Sequence, residues 1–583
     1  MKKCRLVNFP FFRVIMEASR LLCRADHPGK ACRRGIGITL TGRCRHSGLA
    51  EKQRNCAAQQ ELQSNRSLSN RFCRVTNLPV YIRRLNVGFV LLAAVLLNTA
   101  PAQASTSTWC ESRSQQFEVI SDLSEADQRE LIRKLTVFEK LAEPFLPGEA
   151  LDRRSALKMV VFQHRKDFLA VTGAYNFAGY MQPSLQMNRL MIGPIRGNLT
   201  ETALHEYAHY LLRNQTGVSL PMWFDEGLAS LLGAAELSAS QGQLGNIPAR
   251  RLADRINQDV AAPSAHQRLK RTMGATSLES WHRERINEFY DLSWLLTHYL
   301  YFDVYQDALS QGSIQTSELT AFLHNRDQTL LEHLGTTGNG LTRSLDKHLR
   351  RWRTLDPVPL PAVEIGEVTF RCLTPVERDL AVALAVHVQA PDKAKSLLAP
   401  HLETQTATES DQTQLNALRI AMARTDIARD NPESASDWIE QVRSVDPHNP
   451  EAMVLATDLS IRDCIFDRSE TCLTRWDAAN RSYRAALRQD PRRYDGILGV
   501  GLAELHGGRP GDAVNYLKVA YSRAPWAAVV NYYLGESYRM MGDSRASLYL
   551  ENARNWAVQD IWRVLAEESL RLQASAEAPA SDP

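Results

Sequence analysis

The stretch that decides the fold is His205-Glu206-Tyr207-Ala208-His209. It is followed seventeen residues on by Glu226, within Trp223-Phe224-Asp225-Glu226-Gly227-Leu228-Ala229. In a helix, residues four apart share a face, so both imidazoles of H-E-x-x-H can reach one ion. Apolar Ala203, Leu204, Ala208, Leu211 and Leu212 predict that this helix is buried around its histidines. Gly217 and Pro221 mark a short break before a second helix, which presents Glu226 near its start. Small Gly227 and Ala229 beside that glutamate would let two helices approach closely. Catalytic zinc takes three protein ligands and keeps one position for water. His205, His209 and Glu226 supply the three, for one Zn2+ per chain. Glu206 stands where a base can take the water's proton. The competing reading is a solvated amphipathic helix with two histidines. Chance alone gives H-E-x-x-H in roughly two of every hundred chains of this length, so the second helix and its glutamate carry the weight.

These residues resemble the gluzincin class of zinc peptidases, in which H-E-x-x-H is followed by a glutamate ligand on a later helix. More narrowly, the following W-F-x-E-G-x-A resembles the bacterial peptidase-MA-like domain, over roughly residues 109–355. The resemblance implies an α+β zincin-like metallopeptidase domain that hydrolyses a peptide or related amide bond. In it His205, His209 and Glu226 would be the ligands and Glu206 the catalytic base. It names no substrate. Such peptidases add a donor for the oxyanion. Tyr290, in the helical run opened by Glu288-Phe289-Tyr290-Asp291-Leu292-Ser293-Trp294, is the candidate, with His298 behind it. The alternative for Tyr290 is a core tyrosine. Asp225 either orients a histidine ligand or is an ordinary first-turn acid.

The formal net charge of +4 misleads. Residues 1–104 hold 18 of the 69 Lys+Arg and 4 of the 65 Asp+Glu, leaving 51 against 61 in the rest, a net of −10. That sign excludes a general attraction for nucleic acid or anionic lipid. The basic excess belongs to a leader. Tyr81-Ile82-Arg83-Arg84 is a positive n-region, Gly88 to Leu97 an apolar core too short to span a bilayer, and Ala102-Gln103-Ala104 a cleavage signal. Residues 81–104 are therefore expected to be a Sec signal peptide, giving a periplasmic or secreted protein without a stable membrane anchor. Residues 1–80 are expected to be a mis-assigned N-terminal extension, the rival being a genuine extension removed with the signal.

Six of the ten cysteines fall in that extension. Cys464 and Cys472, eight apart in a polar stretch, are expected to close a small loop in an oxidising compartment. Cys110 and Cys372 either form a second bridge or remain buried thiols.

Residues 105–355 read as the metallopeptidase-like domain. Strands are expected at 116–120 and 157–162, with a helix from Ser124 to Leu141 capped by Ser124 and a hairpin over Gly179–Gly193 around Pro183. Leu190-Met191-Ile192 is the expected edge strand, open to an extended substrate. Pro357 to Pro361 places a linker over 356–376. Over 377–573 small residues recur: Pro491 and Pro525, Gly501 and Gly535, Gly508 and Gly542 are each 34 apart. That is the tetratricopeptide period, so an all-α tetratricopeptide-like array of four or five repeats is expected. The disulfide-closed insertion would lie between Ala456 and Trp476. Residues 574–583 read as a disordered tail.

The whole reads as an exported zinc peptidase acting on protein or peptide, with a protein partner held by the array. Two rivals stand beside it: an idle periplasmic scaffold, and a zinc amidase acting on the cell wall.

Overall fold

The computed structural model describes residues 108–577 apart from 149–155, 174–178, 183, 195–197, 215–219, 239, 249–263, 277, 279–280, 325–327, 352–356, 361–364, 404–408, 466, 468 and 558–559. The extension and signal peptide expected over 1–104 lie outside the described residues. What is described is mixed α/β: a sheet-based N-terminal region and a C-terminal all-helical array.

The main sheet has six strands in the order β4-β5-β3-β2-β1-β9. They are β1 (Cys110–Arg113), β2 (Phe117–Ser121), β3 (Ala156–Val161), β4 (Gly179–Gln182), β5 (Met187–Ile192) and, far along the chain, β9 (Thr369–Cys372). β2, β3 and β5 run parallel, which requires crossovers. Helix α1 (Glu125–Ala142) makes the first and α2 (Arg165–Thr172) belongs to the second. Ser124 caps α1 as its sequence predicts, accepting from the Asp127 amide.

Side chains alternate between the two sheet faces. Phe117, Val119, Leu157, Met159, Leu190 and Ile192 join the core that α1 and α3 (Leu199–Arg213) complete. Ile120, Val160, Phe162 and Met191 point the other way, to Phe168 of α2 and to the first helices of the array. A sheet covered on both faces explains why β3 reads as a nearly unbroken apolar run.

Helices of eight residues or more continue with α4 (Met222–Gly233), α5 (Ala265–Met273), α6 (Arg283–Tyr299) and α7 (Gly338–Arg350). The array then runs α8 (Pro375–Val386), α9 (Pro391–Glu403), α10 (Glu409–Ala428), α11 (Pro432–Arg443), α12 (Pro450–Ser460), α13 (Glu470–Gln489), α14 (Tyr494–His506), α15 (Pro510–Tyr521), α16 (Ala528–Met540), α17 (Ala546–Trp556) and α18 (Asp560–Glu577). Each packs on the next, and α8 also packs on α10, α12 on α14, α14 on α16 and α16 on α18. The spaced glycines show why. A Cβ on Gly501 would lie 2.8 Å from Leu517 Cγ, and one on Gly535 2.7 Å from Leu550 Cγ, so each lets a second helix settle onto the first. Gly508 and Gly542 hold left-handed turns between helices, at φ 75° and 69°.

Three expectations need correcting. Leu190–Ile192 is not an edge: β5 lies between β3 and β4, and the edge is β4. The stretch read as a linker contains two strands, β8 (Val358–Pro359), which pairs with β7 (Gln241–Gln243) of the β6 (Glu236–Leu237) hairpin, and β9, which pairs with β1. Helical order continues to Glu577, past the expected start of the tail.

Among the described residues, two disulfides are present. Cys110–Cys372 joins residues directly opposite each other on β1 and β9. Cys464–Cys472 closes the segment between α12 and α13, inside the stretch from Ala456 to Trp476 where an insertion is expected. Among the described residues, no helix is long and apolar enough to cross a membrane.

Candidate metal centre

Helix α3 begins at Asn198, whose side chain accepts from the Glu201 amide, and residues 202–212 are buried throughout. It lies between the sheet and α4, with its histidines turned to α4. Gly233 makes that approach possible, since a Cβ there would come within 2.9 Å of His205 Cβ. On its other side α4 rests on α6 at Gly227, where a Cβ would overlap Thr297 Oγ1 and the Ser293 carbonyl. Gly227 and Gly233 thus set how closely α6 and α3 approach α4.

His205, His209 and Glu226 converge, with ligand atoms all within 4.8 Å of one another. The imidazole rings meet edge to face at 4.9 Å. Glu226 Oε2 lies 3.5 Å from His205 Nε2 and 3.5 Å from His209 Nε2. A tetrahedral zinc with ligand distances near 2.05 Å holds its ligand atoms about 3.4 Å apart. Glu226 Oε2 is also buried without a hydrogen bond of ordinary geometry. A desolvated carboxylate oxygen aimed between two imidazole nitrogens is costly unless a cation sits among them. The donor set therefore fits a zinc ion.

The electrostatics agree. Burial disfavours a charged His209, but Asp225 and Glu226 outweigh it and push the imidazole up to about 10. Burial likewise opposes ionisation of Glu226, yet the two histidines hold its carboxyl well below the usual range. Positive charge is favoured here, as a proton or as a metal. Asp225 is a first-turn acid that also contacts His209. It lies in the first turn of α4, and its Oδ1 is 3.0 Å from His209 Nδ1, which leaves Nε2 for the ion.

Glu206 sits a hundred degrees around α3 from His205, beneath β4. A Cβ on Gly179 would lie 2.6 Å from Glu206 Cγ and 2.9 Å from its Oε1. Glu206, Tyr210 and Arg213 share this face. Arg213 closes the row, its guanidinium 3.9 Å from Met181 Sδ on β4 and 3.8 Å from Asp225.

Tyr290 is half-buried on α6 with its ring edge to face on Phe289. It is one turn before Ser293, on the side turned to α4. His298 takes no part. It is fully buried, with Nδ1 2.7 Å from His348 Nε2 and Nε2 3.2 Å from the Gly245 carbonyl. Asp303 continues the chain at 2.8 Å from His348.

Sequence reasoning missed Gly179, Arg213 and Gly233. The one available signal was Gly179 itself, a glycine in a strand pattern that marks a close approach.

No family model matches this chain, and no curated protein matches it.

Proposed function

We propose that this chain is an exported zinc metallopeptidase of gluzincin type, with a peptidase-MA-like catalytic region and a tetratricopeptide-like array. The observation that carries the proposal is Glu226 Oε2, buried and 3.5 Å from both histidine nitrogens. Zinc held there would polarise a carbonyl and acidify a water. Glu206 would be the group that accepts that water's proton and hands it to the leaving amine. Asp225 holds His209 in the tautomer that presents Nε2. The backbone of β4 offers N–H and C=O groups to an extended substrate lying over Glu206. Tyr290 is the proposed donor to the oxygen that becomes negative on the substrate. Two disulfides suit an oxidising compartment.

The test sets the purified protein against Glu206→Gln on peptide pools and on purified peptidoglycan. New N-termini from peptides, absent with the variant, support the proposal. Turnover of peptidoglycan alone would make the chain a cell-wall amidase. Bound zinc with no turnover of either would make it a scaffold.

A further inference from the structure

The β4–β5 hairpin does not stand free. Its tip is braced internally, with the Ser184 amide donating to the buried Asn188 side chain at 2.9 Å. Beyond that brace the tip reaches the array. Leu185 packs into a hollow lined by Ala520, Ala524, Ala527 and Val530, at the turn between α15 and α16. Three alanines there leave room for a side chain from outside the array.

Gln186 makes the second contact: its Oε1 accepts from the Tyr494 amide. Tyr494 opens α14, and the first amides of a helix have no partner within it. Arg493, at the N-cap, gives no side-chain cap. The hairpin therefore supplies a cap that the array lacks. A third contact holds β4 itself, where the Tyr180 hydroxyl donates to the Ala385 carbonyl of α8 at 2.5 Å.

We propose that the array clamps this hairpin in cis, with Leu185 as plug and Gln186 as latch, and so fixes the edge strand β4 over Glu206. A four-residue strand held by one neighbour would otherwise fray. The array is then a wall of the substrate cleft as well as a docking module. Leu185 and Gln186 are positioning residues, acting through β4. The role in substrate binding rests on the peptidase reading; the clamp itself does not.

The test uses the full mature chain as wild type, Leu185→Asp/Gln186→Ala and Leu185→Met. Hydrogen exchange of residues 179–186 should quicken at least about tenfold in the double variant. Exchange in α3 and α4 and the zinc content should not change. Because strand pairing binds substrate before and during reaction alike, KM should rise severalfold with kcat nearly constant. Leu185→Met, which refills the hollow, should match wild type in both. Unchanged exchange in the double variant overturns the clamp. Faster exchange with unchanged KM overturns its role at the cleft. Should wild type cleave no peptide, the peptidase reading falls, and exchange alone decides the clamp.

Discussion

Gly179 and Glu206 touch across the gap between β4 and α3, so closely that a methyl group on the glycine would lie 2.6 Å from Glu206 Cγ. The strand can pass over the glutamate only because residue 179 has no side chain. Gly179→Ala should therefore displace the carboxylate or lift the strand while leaving the metal ligands alone. A misplacement near 1 Å can cost about a hundredfold, so kcat for any cleaved peptide should fall at least about tenfold. Elemental analysis should still find one zinc. A variant with wild-type kcat would mean that this contact does not set the position of Glu206.

Asp225 offers a finer test of the metal centre than removal of a ligand. His205→Ala should abolish zinc binding, which elemental analysis reads directly. Asp225→Asn keeps the shape but weakens the hold on His209, and losses of about ten- to a hundredfold in metal affinity are usual for such partners. Competition with a chromogenic chelator measures it. Wild-type affinity in Asp225→Asn would reduce Asp225 to a helix-terminal acid.

The convergence of His205, His209 and Glu226 was legible because it depends on local geometry. His205 and His209 are four apart, and Glu226 follows on the next helix with glycine and alanine beside it. The edge of the sheet was not legible. β4 and β5 are two halves of one hairpin, and strand order depends on β5 pairing with β3, which no local pattern encodes. β9 was hidden for a related reason. Thr369-Phe370-Arg371-Cys372 is short and largely exposed, so it has no apolar alternation to betray a strand. It is held by β1 and by the Cys110 bridge across 262 residues. The 34-residue spacing of the array's glycines was visible because it repeats; the docking of Leu185 into Ala520, Ala524 and Ala527 was not, because it happens once.

The bridge to β9 leads to a stability prediction. Cys372→Ser should leave the array folded and loosen the sheet at β1 and β9. Closing so long a loop is worth roughly 2–5 kcal/mol in chain-entropy terms. The unfolding midpoint should fall by several degrees, and reductant should bring wild type down to the variant measured in the same reductant. Equal midpoints for oxidised wild type and variant would show that strand pairing alone holds β9.

The last prediction concerns Asp458 in α12. Its Oδ1 accepts from the Tyr483 hydroxyl at 2.6 Å. Burial raises its carboxyl to about 7, and Asp495 adds to the rise while the Tyr483 hydrogen bond, Arg424 and Arg493 oppose it. A carboxyl whose folded pKa exceeds its unfolded value near 3.9 binds its proton more tightly in the folded chain. The folded state thus gains from protonation below about pH 4, and this gain is lost as pH rises to about 7. Above that, the array carries the cost of a buried charge. Asp458→Asn keeps an oxygen for Tyr483 and removes the charge. It should match wild type at pH 4 and exceed it at pH 8 by roughly 1–3 kcal/mol, a discount on the full shift. Thermal melting of both proteins across that range measures the difference. A constant gap between them, or a gap that closes as pH rises, would mean that Asp458 is ionised in the folded array at low pH.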